Sequence, residues 1–486
     1  MLVFLSDGTT TAFDFREKAP LAAHAGMFLD EKGDYDDEIN HKGYLAVGVP
    51  GTVAGFFLAH QRLGRLPMAE LIEPAVRMAR QGFLVTPKLA RDLQEEAPQL
   101  RKHPGSRQAL LKPDGEPYQA GELWRQPQLA RTLRRIQRNG RDGFYKARTA
   151  RLIAGEMLAH GGLITLQDLA GYEAKERRPV EGSYRGHRII STPPPSSGGV
   201  ALIEILHILE GFDLSSPGYG SARHLHLLAE SMRRAFADRA RYLGDPDFNP
   251  EMPIQRLLSS EYAADLRSKI PMGRASVSDP ERFNQAYESE QTTHYSVVDS
   301  LGNAVVVTYT LEDSYGSRIA VEGTGFLLNN EMGDFNPVAG ETNQKGQIGT
   351  APNLVAAGKR MLSSMTPTIV LKQDRPFLLI GSPGGRSIIS TVAQVIVNVV
   401  DFEMDISEAI DAARIHHQWL PDELKVERFG FSPDTLLLLQ EMGHKVKLLD
   451  TSRSQGRAMG ILIDPETGWF LGASDPRSPD GAAVGF

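Results

Sequence analysis

The run Thr292-Thr293-His294-Tyr295-Ser296-Val297-Val298 follows a polar stretch from Asp279 to Gln291, and at that junction the period of the whole chain changes. Upstream, from about Val47 to Leu266, apolar residues recur at helical spacing, as in Leu71, Ile72, Ala75, Val76 and Ala79 of a helix beginning near Pro67. A second helix is expected over His224 to Tyr242, and another from about Val200, after the break Pro193-Pro194-Pro195-Ser196-Ser197-Gly198-Gly199. That break reads equally as a rigid loop entering a helix. Downstream the period falls to two. Tyr295 to Asp299, a turn at Ser300-Leu301-Gly302-Asn303, and Ala304 to Thr310 read as a hairpin that carries Thr292 at one end. Further strands are expected at Gly325 to Leu328, Thr368 to Leu371, Phe377 to Ile380, Leu424 to Arg428 and Ala458 to Ile463.

A hydroxyl is a weak nucleophile unless a base stands beside it. For a threonine the simplest base is its own α-amine, freed by cutting the chain before it. Such an amine titrates at about 7.7 to 8.0, so much of it is unprotonated near neutral pH without any special pocket. A Thr-Thr pair also suits an ordinary half-buried strand, so the remainder of the chain has to decide between the two.

With 486 residues and 41% hydrophobic composition the chain buries a large core, and length alone suggests two or three domains, although one large α/β unit also fits. The 53 basic and 60 acidic residues are well mixed and leave a net charge of −7, which points away from nucleic acid and anionic membranes and towards a small-molecule partner. The count of 0 cysteines excludes disulfides, thiolate metal sites and a cysteine nucleophile. Met1-Leu2-Val3-Phe4-Leu5 is too short for a signal peptide, and no segment has the roughly 18 apolar residues of a membrane span.

Gly381-Ser382-Pro383-Gly384-Gly385-Arg386-Ser387 follows a strand and precedes the helical run Ile388 to Val400, so backbone N–H groups cluster there at a helix N-terminus. Such a loop holds an oxyanion or a phosphate, but it lacks the ending of a P-loop and the spacing of a dinucleotide fold. His416-His417 is not expected to bind metal, because adjacent side chains diverge and no ligand-spaced carboxylates surround them. Ser363-Ser364 also suits loop hydroxyls that satisfy their own backbone.

Taken in order, several segments resemble the γ-glutamyltransferase (glutathione hydrolase) family of N-terminal nucleophile enzymes, over nearly the whole chain. They are Phe15-Arg16-Glu17 with Ala19-Pro20, Val47 to Gly55, Pro193 to Gly199, Thr292 to Val297, Leu327-Leu328-Asn329-Asn330-Glu331-Met332, Leu362 to Met365, Gly381 to Gly385 and Ser474-Asp475-Pro476-Arg477. The resemblance implies an α+β fold, a four-layer αββα sandwich. It also implies self-cleavage between Gln291 and Thr292 into a large-subunit segment 1–291 and a small-subunit segment 292–486 that stay together as one structural unit, which overrides the length-based domain count.

By the same resemblance Thr292 attacks the γ-glutamyl carbonyl of glutathione and related compounds, and water or an amino acid or dipeptide then takes the acyl group. Backbone N–H groups of Gly384 and Gly385 meet the oxyanion, and Thr310 hydrogen-bonds the nucleophile. Arg16, with Ser363 and Ser364, grips the substrate carboxylate, while Glu331 and Asp334 hold its ammonium. No cofactor and no metal are needed. A periplasmic or secreted setting is the family habit.

Two departures stand out. Glu312 occupies a position where several family members carry Asn, so that Glu312, Glu331 and Asp334 would face one ammonium. Family chains also carry some tens of residues before the position of Met1, so segment 1–291 is N-terminally incomplete relative to them, and a sheet edge is expected to lie open. Two alternatives follow: a cephalosporin (glutaryl) acylase of the same superfamily, and a non-maturing, non-catalytic protein.

Overall fold

The computed structural model describes residues 1–33, 35–279, 292–340, 349–450 and 455–486. The polar stretch 280–291, with Gln291 and the expected scissile bond, lies outside the described residues, as does 341–348 within the long stretch Phe335 to Arg360.

Alternation along the strands builds two stacked antiparallel sheets. The first runs in the order Lys175–Arg177, Thr10–Asp14, Leu2–Phe4, Ala304–Tyr309, Thr293–Val298. The second runs Phe470–Ser474, Met459–Ile463, Arg375–Gly381, Thr368–Lys372, His187–Ser191, Val180–Tyr184. Leu2, Phe4, Ala304 and Val306 point from the first sheet onto Ile190, Ile369, Leu371 and Leu379 of the second. Their strand neighbours point the other way: Val3 and Val307 pack beneath the helix Thr52–Leu63, and Val370 and Leu378 pack beneath the helices on the far side.

The outer layer on that far side is Gly198–Glu210, Ala222–Tyr242 and Ser387–Asp401. Gly198–Glu210 is buried along almost its whole length, because its sequence GGVALIEILHILE has no polar stripe to present to water. The result is an αββα sandwich. Among the described residues no helix is long and apolar enough to cross a membrane.

Helix Met68–Gln81 begins directly after Pro67, and the hairpin pairs Thr293 with Tyr309 through to Val298 with Ala304, both as the sequence pattern predicts. The strand expected at Gly325 to Leu328 does not form. Gly325 has φ +76°, and a Cβ there would lie 2.3 Å from the Leu129 amide nitrogen, so the chain turns against a helix and makes only local bonds to Ser317 and Ile319. Of Leu424 to Arg428 only Leu424–Val426 is strand, in a small third sheet beside Ile415–His416 and Val446–Leu448.

Several core histidines are held neutral. Burial pushes His224 down to about 4, and His294 and His416 down to about 3. An unfolded imidazole protonates near pH 6.5, so below that pH the unfolded chain binds protons that the fold refuses. The stabilisation is fully present above about pH 6.5 and is lost as pH falls towards 4, by up to about 1.4 kcal/mol per pH unit for each such group. A urea midpoint measured from pH 7 to 4.5 is expected to fall progressively, and His224→Gln to flatten that slope by about one proton. An unchanged slope would assign the acid sensitivity elsewhere.

Candidate active site

The hairpin fixes the position of Thr292. One step beyond the Thr293–Tyr309 pair, its register brings Thr292 opposite Thr310. His294, two residues on, points into the sandwich and bonds Thr308 Oγ1 at 2.7 Å and Ser296 Oγ at 3.1 Å through its two ring nitrogens. Its ring lies against Gly381, where a Cβ would come 2.1 Å from Cε1, so only glycine lets the neighbouring strand pass.

That strand, Arg375–Gly381, leads into the glycine loop. Gly384 has φ +136° and Gly385 φ +53°, and a Cβ on Gly384 would sit 2.7 Å from Ser387 Oγ. The loop ends at helix Ser387–Asp401, whose first turn aims its N–H dipoles back towards it. Thr310 Oγ1 accepts from the Glu312 amide at 2.9 Å, which sets its rotamer.

Thr292, Thr310 and Gly385 share one recess of about 260 Å³ with Arg16, Glu312, Asp334, Ser363 and Ser364. Met365 and Ile388 complete the lining. A wider groove of about 600 Å³ adjoins it through Arg16, Thr310, Ser363 and Met365. Of the residues singled out in the sequence, Gly384 sits beside Gly385 in the loop, and Glu331 lies immediately behind the wall, fully buried.

Arg16 is anchored through its backbone: Tyr172 Oη donates to its carbonyl at 2.8 Å, and its own amide donates to Asp14 Oδ1 at 3.0 Å. The guanidinium, with a side chain only 2% exposed, lies 2.5 Å from Glu331 Oε2 and is also bonded to Asp334. Glu331 and Asp334 are both presented by the short 3₁₀ turn Glu331–Asp334. Asn329 ties this turn down, since its Oδ1 accepts from the amides of Gly48 and Glu331.

Glu17 stands 3.9 Å from Arg16 as a further acid. Burial raises Glu17 to about 7, against the attraction of Arg16. Burial also raises Glu331 well above the carboxylate range; Arg16 opposes this, while Glu17, Asp334 and Glu312 add to it by repulsion. Around Arg16 the acids thus outnumber its guanidinium, and this part of the site favours a cation.

Several participants were given no role from the sequence, although Ser196, Ser197 and Asn330 lie within segments that carry the resemblance. Asn330 donates to Glu312 and to the His41 carbonyl, and His41 Nδ1 lies 3.8 Å from Glu312 Oε1. Ser196, Ser197 and Arg239 back the two serines. The Pro-rich break flagged Ser196 and Ser197 only as loop residues, and Arg239 is one of many arginines on its helix.

The His416-His417 pair is already engaged. His416 bonds Ser390 Oγ at 2.8 Å and Gln418 Oε1 at 2.9 Å, and His417 Nε2 lies 3.3 Å from Asp422. His226, Glu230 and His444 approach one another as metal ligands would, yet Glu230 is paired with Arg233 and Arg234. Both ring nitrogens of His226 are taken, by His444 and by the Pro271 carbonyl. These contacts pin the segment after residue 270 rather than offer an open coordination site.

The family model described as gamma-glutamyltranspeptidase matches residues 1–485. The glutathione hydrolase proenzyme of Escherichia coli (strain K12) is 46% identical over 488 residues, covering 100% of this chain and 83% of that protein. The crystal structure of Helicobacter pylori gamma-glutamyltranspeptidase matches with a TM-score of 0.56 at 42% identity, over 57% of this chain and 79% of that one. A cephalosporin acylase from Bacillus halodurans matches with a TM-score of 0.82 at 27% identity, over 98% of this chain and 85% of that one. The chain therefore belongs to the gamma-glutamyltranspeptidase family.

Proposed function

We propose that this protein is a γ-glutamyl hydrolase and transferase that cuts itself between Gln291 and Thr292 and then acts on glutathione and related γ-glutamyl compounds. The observation that carries this reading is the convergence of Thr292, Thr310 and Gly385 with Arg16, Glu312, Asp334, Ser363 and Ser364 on one recess. One set of residues suits acyl transfer and the other suits an amino-acid head group.

In this mechanism Thr292 Oγ1 attacks the γ-carbonyl carbon and its proton passes to the α-amine of the same residue. The carbonyl oxygen becomes an oxyanion held by the N–H groups of Gly384 and Gly385, an arrangement in which one donor is worth about 3 to 4 kcal/mol. The tetrahedral species expels the leaving amine, which takes the proton back, and leaves Thr292 acylated. Water, or the amine of an amino acid or dipeptide, then attacks and reverses the sequence.

The internal pairing of Arg16 with Glu331 and Asp334 stands in for the substrate. A γ-glutamyl head group carries a carboxylate and an ammonium on one carbon, so it can pair with both sides at once. Its carboxylate takes the guanidinium, and its ammonium takes the acids. A glutaryl group brings no ammonium and would leave Glu312, Glu331 and Asp334 crowded without a new cation. That asymmetry favours the γ-glutamyl reading over the acylase reading, which the likeness to the cephalosporin acylase keeps in view. Family kinship favours a periplasmic or secreted setting.

Three outcomes are expected. Intact mass after incubation at neutral pH should show two fragments split before Thr292, and a single uncut chain for Thr292→Ala; an uncut wild type would favour a non-maturing protein. Turnover of γ-glutamyl-p-nitroanilide should exceed that of the glutaryl analogue at least about 100-fold, with Glu312→Gln narrowing the gap; a glutaryl preference would assign the acylase activity. Arg16→Ala should destabilise the fold by about 3 to 5 kcal/mol in urea unfolding, because it strands buried acids, whereas Glu331→Gln should cost far less, because burial already pushes the Glu331 carboxyl up towards its neutral form. Equal losses in the two variants would mean that Glu331 is ionised in the native state.

A further inference from the structure

We infer that Arg239 is a positioning residue that fixes the direction of the Ser364 hydroxyl and so builds the carboxylate side of the γ-glutamyl site; the inference rests on the function proposed above. Arg239 belongs to helix Ala222–Tyr242 on the outer layer and is 3% exposed. Its guanidinium reaches inwards to the Pro-rich loop and to the Ser363-Ser364 turn together. Nε donates to Ser197 Oγ at 2.8 Å and Nη2 donates to Ser364 Oγ at 3.0 Å.

A guanidinium has donors and no acceptor, so both hydroxyls must accept from it. Ser197 then sends its own proton to the Ser363 carbonyl at 2.6 Å, which locks loop and turn together. Ser364 Oγ, with a lone pair committed to a cation, has its proton turned away from Arg239 and made a stronger donor. Ser364 also lines the recess beside Thr292 and Arg16.

Ser363 is set the opposite way. Ser196 Oγ lies 2.7 Å from the Met365 carbonyl, which can only accept, so the Ser196 proton goes there. Ser363 must therefore donate in the 2.9 Å bond to Ser196 Oγ, and it offers the recess lone pairs. Two adjacent, chemically identical side chains are thus given opposite polarity by their backing: Ser364 is a donor suited to a carboxylate, whereas Ser363, which the family resemblance also assigns to the carboxylate, has its proton directed to Ser196.

The test compares wild type, Arg239→Gln, Arg239→Lys, Ser364→Ala and Arg239→Gln/Ser364→Ala on two anilides. One is γ-glutamyl-p-nitroanilide. The other is 4-aminobutyryl-p-nitroanilide, which keeps the ammonium and lacks the carboxylate. Arg239→Gln should raise KM for the glutamyl substrate about tenfold or more, with kcat within about threefold, the loss expected of one charge-assisted hydrogen bond.

In the Ser364→Ala background the same change should add less than about twofold, and on the aminobutyryl substrate it should likewise change kcat/KM less than about twofold. Arg239→Lys keeps the buried charge and should fall between wild type and Arg239→Gln; it carries the comparison if the glutamine variant does not fold. Equal losses on both substrates, or losses additive with Ser364→Ala, would overturn the positioning role and leave Arg239 as a packing residue. A wild-type protein that matures yet turns over neither anilide would overturn the functional reading itself, and this inference with it.

Discussion

The contact between the His294 ring and Gly381 joins the two sheets at the place where the chemistry is assembled. His294 belongs to the strand that Thr292 heads, and Gly381 closes the strand that feeds the loop of Gly384 and Gly385. Any side chain at 381 would collide with the imidazole, and any loss of the imidazole bonds to Thr308 and Ser296 would leave buried polar groups stranded. The distance between Thr292 and the loop of Gly384 and Gly385 is therefore set by strand packing rather than by a flexible connection. Reacting groups mounted on paired strands in this way keep the tolerance that acyl transfer demands. The neutral state of His294, forced by burial, belongs to the same arrangement, because a charged ring could not occupy the space between the sheets.

The recognition side follows a different logic. Breaking a buried ion pair by removing one partner is costly, and Arg16 faces Glu331 and Asp334 with almost no solvent to compensate. On the function proposed above, a zwitterionic head group would separate those partners without stranding either, since it would supply each with a replacement. Glu312 adds an acid whose carboxylate is tied to Asn330 and set near His41, which comes from the first third of the sequence.

Period-two alternation made the hairpin and most strands legible, and the run of helical spacing made Met68–Gln81, Ala222–Tyr242 and Ser387–Asp401 legible, because each element exposes one face to the core. Gly325 to Leu328 misled for a physical reason: an apolar run looks like a strand until a glycine at positive φ turns it against a helix backbone. Thr292, the glycine loop and Arg16 were legible through their motifs. Arg239 was not, since it acts on Ser197 and Ser364 at sequence separations of 42 and 125, and nothing local marks one buried arginine among its neighbours. His41 was silent, and Asn330 showed only as part of a motif, for the same reason: their contacts with Glu312 are made only when distant turns meet.

Topology also explains why one unit, rather than the two or three that length suggests, accounts for the chain. Residues before 292 supply Leu2–Phe4, Thr10–Asp14 and Lys175–Arg177 to the first sheet, and later residues supply Thr293–Val298 and Ala304–Tyr309. In the second sheet Val180–Tyr184 and His187–Ser191 pair with the later strands through Thr368–Lys372. Each sheet therefore crosses residue 292, and the layer between the sheets is built from both sides of it. Parting the two segments would break the ladders Leu2–Phe4 with Ala304–Val306 and Arg188–Ser191 with Thr368–Leu371, and would open the shared apolar layer to water. The cut before Thr292 proposed above would leave both sheets and the layer between them joined, and the strand that begins at Thr293 would hold the residue at the new end in place.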